Sequence, residues 1–535
     1  MGDIVTVTVQ SREIRAIVTD IQDAKQMKGA VKTGNFPLKK ILKVEKGFLS
    51  ASLIESAKET AEYYVTSVSK VLGAMFPKNV LAEAECIHLD SRFPSSPSPS
   101  GRGGGEVYLE GAQSDRWNWI LKNVLQKNKK VLYVSSSNHE LAKAKMFFAK
   151  HTQGSLLGPT EDCLVCVSPE YGFVWLPYVD TIILDHESGA GYHDRSNAKI
   201  DFKKVYELHA KKNNQQIFFA DSVLDLKYSA QGTLVCSLTA WPKVTVVKKE
   251  RKVDHNSWLV SKEAVQVIEK TGETGGQMFF FAPRKSVASM TICGDCSEIV
   301  QCKNCRRSLT LAKKNGKQIF ICPGCKETFN SNQKCAHCDS WKLTPLGVTV
   351  ESVANELEKL FPKAHVLRVS SDVTKTKTAL AKIVKQFYAT QGALLVGTEL
   401  AIPYLEQHTR PPCVLSAVIS SIDSFLSGRS LSGTDKAARI IFDVAEIASG
   451  KVLVETSDPK QQFFDDIFSD DLKKYRAREL SERKKFNYPP YSMIVKVGVE
   501  THFVHKENWP DQKLSEKIQA LPKGITYEID ADRAV

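Results

Sequence analysis

The amino-terminal quarter of the chain changes from a strand pattern to a helix pattern and then to a polar stretch. Residues 4–9 read IVTVTV, and IRAIV follows after a short polar break. This period of two predicts paired strands of a small β-rich domain. Apolar side chains then recur at helical spacing from Leu53 to Met75, which predicts a helix with Ser50 as its cap. Residues 93–105, FPSSPSPSGRGGG, have the composition of a flexible linker.

Beyond this linker, short continuous apolar runs alternate with amphipathic stretches. Such runs are typical of parallel strands that helices cover on both faces. A first group and a second group of runs predict two α/β lobes. A closing segment from about residue 475 reads as a basic helix, a Pro-Pro turn and a strand. The runs of the two lobes are KVLYVSS, DCLVCVS, DTIILDHE and QQIFFADS, then QMFFFAP, AHVLRVSS and GALLVGTE.

Four Cys-x-x-Cys pairs interrupt the second lobe. In a reducing compartment, cysteines paired at this spacing are metal ligands more often than disulfides. Each turn directs two thiolates at one ion, and Zn²⁺ takes four such ligands in a tetrahedron. Eight thiolates therefore predict two closed structural Zn²⁺ sites, and the spacing alone leaves open which pairs share an ion. The eight residues are Cys293, Cys296, Cys302, Cys305, Cys322, Cys325, Cys335 and Cys338.

One further Cys-x-x-Cys pair, Cys163 and Cys166, lies in a run that reads as a buried strand. Residues three apart on a strand face opposite sides of the sheet. This pair is therefore predicted to belong to the hydrophobic core.

Length and charge narrow the class of protein. A chain of 535 residues predicts three or four domains. The 73 Lys and Arg residues against 60 Asp and Glu give a net charge of +13, which favours a polyanionic partner such as nucleic acid. The first residues lack the pattern of a signal peptide, and no apolar run is long enough to span a membrane. A cytoplasmic protein without a membrane partner is expected.

Several motifs together resemble the PriA family, the primosomal protein N′ helicases of bacterial replication restart. The cysteine pairs are separated by 5, 16 and 9 residues and are followed directly by LTPLGVTVESVANELEKLFPKAHVLRV. FPLKKILKVEKGFLSASLIESAKETAEYYVTSVSKVLGAMFP resembles the end of that family's amino-terminal domain, which binds DNA 3′ ends. RARELSERKKFNYPPYS resembles the start of its carboxy-terminal domain.

The resemblance implies an α/β fold with two RecA-like helicase lobes and a two-zinc cysteine-rich insertion in the second. A small β-rich DNA-binding domain precedes the lobes, a truncated α+β domain follows them, and a linker replaces the family's winged-helix domain. The implied zinc pairing is nested, with the first and last cysteine pairs on one ion and the two inner pairs on the other. The expected boundaries are 1–81 for the 3′-end-binding domain, 82–105 for the linker, 106–240 and 241–460 for the lobes, 291–341 for the insertion and 461–535 for the last domain.

The loop that should hold nucleotide phosphates departs from the family pattern. A phosphate-binding loop reads G-x-x-x-x-G-K-[ST], with the Lys on the β and γ phosphates and the Ser or Thr on Mg²⁺. Residues 111–118 read GAQSDRWN, so only Gly111 remains. Asp115 adds a negative charge, and the neighbouring tryptophans are too bulky for Arg116 to replace the missing lysine.

The other ATPase motifs depart as well. Where the family has D-E-x-H, this chain has DHES, so Asp185 and Glu187 are vestigial and His186 replaces the Glu that polarises water. ADS at 220–222 stands for Ser-Ala-Thr, and FDVAEIASGK at 442–451 holds no arginine finger. Losing such an Arg alone removes several powers of ten in rate. We assign no catalytic and no nucleotide-binding residue; whether ATP and Mg²⁺ bind without hydrolysis stays open.

The favoured hypothesis is an ATPase-deficient, PriA-like primosomal protein that binds DNA forks, D-loops or 3′ ends. Its zinc module would dock primosome proteins, and by resemblance single-stranded DNA-binding protein and loading factors of the replicative helicase. Lys and Arg side chains position such a protein on phosphates without reading sequence. The candidate contacts are Arg12, Arg15, Lys39, Lys40, Arg306 and Arg307, with Arg483, Lys484 and Lys485 near the carboxy-terminal end.

Two alternatives belong to other classes. An active ATP-dependent 3′-to-5′ DNA helicase with an unconventional nucleotide loop would unwind DNA in a nucleotide-dependent manner. A zinc-ribbon RNA-binding or regulatory protein would bind structured RNA as tightly as forked DNA.

Overall fold

The structure is a computed structural model that divides into two compact units. The first unit comprises Met1–Leu238 and Arg476–Val535, and the second comprises Thr239–Tyr475. The predicted linker at 82–105 lies outside the described residues except for its last position. The described residues are 2–9, 11–21, 39–77, 105–126, 130–151, 163–194, 199–229, 234–235, 244–249, 259–283, 290–296, 298, 300–304, 309–314, 317–322, 327–330, 332–346, 348–370, 374, 376–405, 413–426, 430–469, 472–498, 500–521 and 527–530.

The amino-terminal strands form a three-stranded antiparallel sheet, as the alternating pattern predicts. Ile4–Val9 is the central strand, with Arg12–Ile17 on one side and Ile41–Glu45 on the other. The pairing with the third strand shifts register between Thr6 and Val7, which marks a bulge.

The region predicted as one helix consists of two, Ala51–Tyr63 and Val68–Met75. The Ser50 side chain caps the first by accepting the N–H of Leu53 at 3.2 Å, as predicted. The break follows from Val65, whose φ of 47° is left-handed, a conformation that a β-branched residue adopts only under tertiary constraint. The apolar spacing continues across the break and so conceals it.

The first lobe contains a six-stranded, entirely parallel sheet, which confirms the predicted α/β architecture. The acidic strand and the strand before the degenerate loop are separated by a single strand, so the ends of all three lie side by side. The order is Cys163–Val167, Lys130–Ser135, Thr181–Asp185, Gln216–Asp221, Glu106–Glu110 and Leu234–Val235. Its α-helices are Gln113–Ile120, Asn138–His151, Pro169–Trp175, Phe202–Lys212 and Leu226–Ser229. Cys166 is buried, as predicted for a core cysteine.

The second lobe also has six parallel strands. Their order is Val244–Lys248, Val452–Thr456, Val414–Ile419, Gln277–Phe281, Leu394–Gly397 and Val366–Val369. Its helices are Lys262–Glu273, Val350–Leu360, Lys377–Ala389, Asp423–Leu426, Gly433–Ile447 and Gln462–Ile467. One core cluster joins side chains of the strands to those of two helices, among them Val267, Phe280 and Leu357.

The cysteine cassette forms two small antiparallel sheets inside the second unit. Met290–Cys293 pairs with Leu343–Leu346, so the cassette begins and ends on neighbouring strands. The other sheet contains Thr310–Lys314, Lys317–Ile321 and Thr328–Asn330.

The carboxy-terminal segment follows the predicted order of helix, Pro-Pro turn and strand. The helix Lys473–Lys485 precedes a three-stranded antiparallel sheet with Ser492–Val497 at its centre. Its neighbours are Glu500–His505 and Tyr527–Ile529, and the helix Gln512–Gln519 lies between these two in sequence. None of the described helices combines the length and the apolar character that a membrane span requires.

The amino-terminal domain, the first lobe and the carboxy-terminal sheet share one hydrophobic core in the first unit, which includes Leu53, Tyr206 and Val495. Hydrogen bonds reinforce this packing: Trp509 donates its Nε1–H to the Tyr63 carbonyl at 2.8 Å.

His209 lies buried at the junction between the first helix of the amino-terminal domain and the helix Phe202–Lys212. Its Nδ1 lies 3.2 Å from the Ser56 hydroxyl. Burial, with a smaller contribution from Lys212, lowers the pKa of His209 from 6.5 to about 4. The folded protein therefore holds this imidazole neutral at pH values where the unfolded chain protonates it.

Because the unfolded state binds the extra proton, stability falls as pH decreases from about 6.5 towards 4. By linkage, His209 should account for a loss of about 2 kcal/mol in the free energy of unfolding at pH 5. Urea unfolding of the wild type and of His209→Gln at pH 7 and pH 5 measures this, because Gln keeps a polar side chain that does not titrate. An equal pH dependence in both proteins would contradict the prediction.

Candidate functional site

The degenerate nucleotide loop is very short. The strand Glu106–Glu110 is followed by Gly111 and Ala112, and the helix begins at Gln113. Gly111 has φ 138°, which favours glycine at this sharp turn. A phosphate nest needs several successive N–H groups directed into an open concavity. The two residues between the strand and the helix are too few to form such a phosphate nest.

Arg116, on the first turns of that helix, points into the protein. Its side chain is 1% exposed. Nε and Nη2 donate to Asp185 Oδ1 at 3.1 Å and 2.9 Å, and Nη1 donates to the Gly111 carbonyl at 2.6 Å. The guanidinium therefore links the degenerate loop to the acidic strand by a buried ion pair.

Asp185 accepts hydrogen bonds on both carboxylate oxygens. Oδ2 accepts from Trp117 Nε1 at 3.1 Å and from the Tyr133 hydroxyl, and Oδ1 also accepts the N–H of His186 at 3.0 Å. A carboxylate offers about four acceptor positions, so five donors leave none for a metal ion. Burial opposes ionisation, but the charge of Arg116 outweighs it and lowers the pKa of Asp185 to about 2.

Glu187, the second vestigial acid, is engaged in the same way. Lys203 Nζ lies 3.0 Å from Glu187 Oε2 and also donates to the backbone carbonyl of Glu187 at 2.6 Å. Its other oxygen accepts the N–H of Asp225 at 3.0 Å. Both Glu187 and Lys203 are buried, so this pair also stabilises the fold at the sheet edge.

Asp221 connects the ADS motif at 220–222 to Ser188 of the DHES motif. Its Oδ2 accepts from the Ser188 N–H at 3.0 Å and from the Ser188 hydroxyl at 2.7 Å. Its Oδ1 accepts the N–H of Ser222 at 2.7 Å. These acidic groups at the carboxyl edge of the sheet are thus satisfied by the protein itself.

In the second lobe, residues 442–451 lie at the end of the helix Gly433–Ile447 and before the strand Val452–Thr456. Glu455 of that strand forms a buried ion pair with Lys249, whose Nζ lies 3.0 Å from Oε2. Lys249 also donates to the Ser420 carbonyl at 2.5 Å. Lys249 therefore neutralises the buried Glu455 carboxylate. It is not an exposed arginine that could reach a nucleotide.

Sequence reasoning missed the pairing of Arg116 with Asp185. Arg116 is considered there only as a substitute for a phosphate-binding lysine. Two features of the sequence could have indicated the pair. Arg116 lies in the first turn of a helix that follows a strand, and Asp185 is the last residue of another strand. Helix periodicity turns that Arg towards the sheet edge.

Four cysteines of the cassette come together. The sulfur atoms of Cys293, Cys296, Cys335 and Cys338 all lie within 4.8 Å of one another. Zn–S distances of about 2.3 Å imply sulfur separations of about 3.8 Å in a tetrahedron. The separations of 3.4 Å between Cys293 and Cys338 and 3.5 Å between Cys296 and Cys335 are close to that value. This group matches the outer half of the nested pairing that the family resemblance implies.

The turns around these cysteines share a closing hydrogen bond. The N–H of Cys293 donates to the carbonyl of Glu298 at 2.8 Å, and that of Cys335 donates to Ser340 at 2.9 Å. Backbone N–H groups of Cys296 and Asp295 lower the pKa of the Cys293 thiol to about 6. Stabilising the Cys293 thiolate in this way suits a metal cation at the turn.

The inner cysteine pairs are described only in part. Cys302 and Cys322 are buried in a small cluster with Phe320, whereas Cys305 and Cys325 lie outside the described residues. The N–H of Cys322 donates to the carbonyl of Glu327 at 2.9 Å, which repeats the closing bond of the outer turns. The second four-cysteine site stays a prediction.

Four of the candidate DNA contacts lie in or directly before strands of the amino-terminal sheet. Arg12, Lys39 and Lys40 are exposed, and Arg15 is exposed but paired with Glu45 at 2.6 Å. Arg306 and Arg307 lie outside the described residues.

Arg483, expected as a DNA contact, is not available at the surface. It is buried and bonds Glu479 at 3.3 Å and the Pro489 carbonyl at 3.4 Å, so it fixes the turn after its helix. Lys484 and Lys485 are exposed.

The described residues form two α/β lobes, each with a parallel sheet, a cysteine module within the second lobe and a small β-rich domain before the first. A family model described as the 3′ DNA-binding domain (3′BD) of PriA matches residues 1–77. The replication restart protein PriA of Bacillus subtilis is 24% identical over 63% of this chain, and that of Helicobacter pylori is 22% identical over 90% of it. Over these ranges the chain is similar to replication restart proteins of the PriA family.

The extent of these similarities differs between relatives. The alignments cover 43% of the Bacillus subtilis protein and 32% of the Thermotoga maritima protein, but 81% of the Helicobacter pylori protein. Among solved structures, Mss116p bound to single-stranded RNA and AMP-PNP aligns with 74% of this chain and 75% of its own, at 12% identity and a TM-score of 0.33.

Removing Asp185 should strongly destabilise the first lobe. Asp185→Ala is expected to lower the free energy of unfolding by about 3–5 kcal/mol, because it leaves the Arg116 charge buried without its partner. Urea denaturation measures the change. Lys212→Ala, which breaks the exposed pair with Glu59, is the matched control and should cost less than about 1 kcal/mol. Equal stability of the two variants would show that the buried pair does not hold the loop.

Replacing one outer cysteine should remove one bound ion. Cys335→Ser is expected to reduce the zinc content of purified protein by one ion per chain, because three thiolates hold Zn²⁺ less tightly than four. Elemental analysis after dialysis measures this, and Cys166→Ser in the first lobe is the control. Unchanged zinc in Cys335→Ser would exclude this group as a zinc site.

Proposed function

We propose that this protein is a DNA-binding platform of bacterial replication restart that does not hydrolyse ATP. In this proposal it binds forked or 3′-ended DNA in the cytoplasm. The match of residues 1–77 to a 3′ DNA-binding domain supports the DNA partner, and the name that its relatives share, replication restart protein, supports the process. The net charge of +13 favours phosphate contacts.

The observation that carries the proposal is that the protein itself occupies both carboxylate oxygens of Asp185. Phosphoryl transfer depends on Mg²⁺ held by such an Asp and on a lysine that neutralises phosphate charge. Here the carboxylate is buried, its oxygens are occupied by five donors, and Arg116 neutralises it internally. Binding of Mg²⁺ and ATP at this edge would require breaking a buried ion pair, which costs several kcal/mol.

The cysteine module has a structural role in this proposal. Two Zn²⁺ ions are held by the outer and inner sets of four cysteines, and closed four-thiolate sites leave no position for a reactive water. The module then presents a rigid surface to primosome proteins, single-stranded DNA-binding protein or loading factors of the replicative helicase. The clustering of the four outer cysteines supports this role.

Zinc-loaded protein should bind forked DNA with strong salt dependence while ATP hydrolysis stays at background with and without the fork. Parallel assays of phosphate release and fluorescence anisotropy on one preparation measure both properties. Binding should weaken steeply as salt rises, because each phosphate contact releases counterions. A blunt duplex is the matched DNA control for the fork.

Each competing function predicts a different result in the same assays. Fork-stimulated phosphate release would support the active 3′-to-5′ helicase and overturn the proposal. Equal affinity for structured RNA and for forks would support an RNA-binding or regulatory protein instead.

A further inference from the structure

A row of three aromatic rings lies on the outer side of the carboxy-terminal sheet, in the first unit. Phe486 and Tyr488 have ring centroids 6.1 Å apart, and Tyr488 and Phe503 have centroids 5.6 Å apart. The neighbouring planes differ by only 33° and 36°. Phe486 is 59% exposed and Phe503 is 42% exposed. Exposed apolar side chains that lie together mark interaction sites more often than those scattered singly.

The rings are held by the backbone beneath them. The N–H groups of Phe486 and Tyr488 donate to carbonyls of the preceding helix, those of Glu482 at 3.1 Å and Arg483 at 2.8 Å. The third ring stands on the strand Glu500–His505, where it faces the buried Ile494 on the neighbouring strand. The row therefore combines a helix end and a sheet strand, two rigid elements.

Lysines lie at or near the row in sequence, and one of them contacts a ring. Lys485 Nζ lies 5.6 Å from the Phe486 ring centroid, and Lys484 is exposed beside it. Exposed Lys506 follows the strand that carries Phe503. Of the nearby acids, Glu500 is paired with Lys517 and His502, whereas Glu482, Glu507 and Glu528 are exposed.

We propose that this row binds single-stranded DNA by stacking bases on Phe486, Tyr488 and Phe503 while Lys484 and Lys485 contact the phosphates. Sites for single strands combine aromatic faces for successive bases with a cationic groove for the backbone. This inference rests on the proposed DNA-binding function and assigns it a second site, outside the residues 1–77 that match the 3′ DNA-binding domain.

Charge favours a nucleic acid over a protein as the occupant. Protein interfaces are depleted in Lys, particularly at their centres. Here Lys485 lies directly against the most exposed ring of the row. A protein partner would therefore have to bury an ammonium group and supply its counter-charge, whereas a phosphate backbone carries that charge at every nucleotide.

The test compares binding to a 20-nucleotide single strand containing 2-aminopurine, to the same sequence in RNA, to a blunt duplex and to a fork. The double variant Phe486→Ala/Phe503→Ala should bind the single-stranded DNA at least about fivefold more weakly, with less 2-aminopurine quenching, because stacking is removed. Its salt dependence should stay unchanged, since the lysines remain. Duplex binding should change less than about twofold.

Two further variants separate stacking from apolar contact and from charge. Phe486→Leu/Phe503→Leu keeps apolar surface without a ring face and should behave like the alanine variant. Lys484→Ala/Lys485→Ala should lower the salt slope by about 0.7 for each phosphate that a lysine no longer neutralises. Circular dichroism confirms that each variant is folded.

The outcomes distinguish this inference from the function on which it rests. Wild-type affinity in the leucine variant, or tighter binding of the RNA strand than of the DNA strand, would overturn base stacking of single-stranded DNA. If the alanine variant binds the single strand as the wild type does while forks still bind tightly, the row is not a DNA site but the platform function stands. Absence of fork binding by the wild type would overturn both.

Discussion

The buried ion pair between Arg116 and Asp185 determines what the first lobe can do. Neither charge is stable alone in the interior, because removing an ion from water costs several kcal/mol that only a well-bonded partner offsets. The pair lies at the carboxyl edge of a parallel sheet, where open α/β sheets bind ligands. Once a guanidinium fills that edge, the residues around it pack as core. The tryptophan and tyrosine that complete the hydrogen bonding of Asp185 belong to one apolar cluster with Phe148.

Even in the proposed function without nucleotide chemistry, the first lobe is needed for folding. Its helices and strands share one hydrophobic core with the amino-terminal domain and the carboxy-terminal sheet. Tyr527 donates its hydroxyl to the Val65 carbonyl at 3.0 Å, and the Ser52 hydroxyl donates to Asn213 at 2.7 Å. Selection on either flanking surface therefore also maintains the lobe, because unfolding the lobe would expose the shared core.

Local patterns predicted much of the fold, and long-range contacts account for the rest. Apolar runs located four strands of the first lobe, because parallel strands buried on both faces need continuous apolar residues. The two-residue strand Leu234–Val235 of this lobe was missed. Three strands of the second lobe were missed: Val244–Lys248, Val414–Ile419 and Val452–Thr456. The pattern also concealed the break at Val65. Its φ is set by packing, which spacing does not encode.

In the candidate site, too, local sequence patterns identify residues, whereas long-range contacts decide how these residues are arranged. Cys-x-x-Cys spacing identifies ligands, but which pairs meet depends on the antiparallel pairing of Met290–Cys293 with Leu343–Leu346, strands about fifty residues apart. Likewise, a count of positive residues does not separate buried Arg483 from exposed Lys484, since only the fold decides which side of the helix end faces Pro489.

In the proposed function, two DNA-binding surfaces on the shared core of the first unit would compensate for the absence of a nucleotide-driven clamp. Weak sites linked by a folded unit bind with an effective concentration set by their fixed separation, so the second contact forms without a further loss of translational freedom. A helicase changes its grip through ATP-dependent closure of its lobes. A platform with a sealed nucleotide edge holds one geometry, and its specificity must come from which DNA structure can reach both surfaces at once. A junction that offers a 3′ end and a single strand together satisfies that requirement, whereas a blunt duplex offers no unpaired bases to the aromatic row.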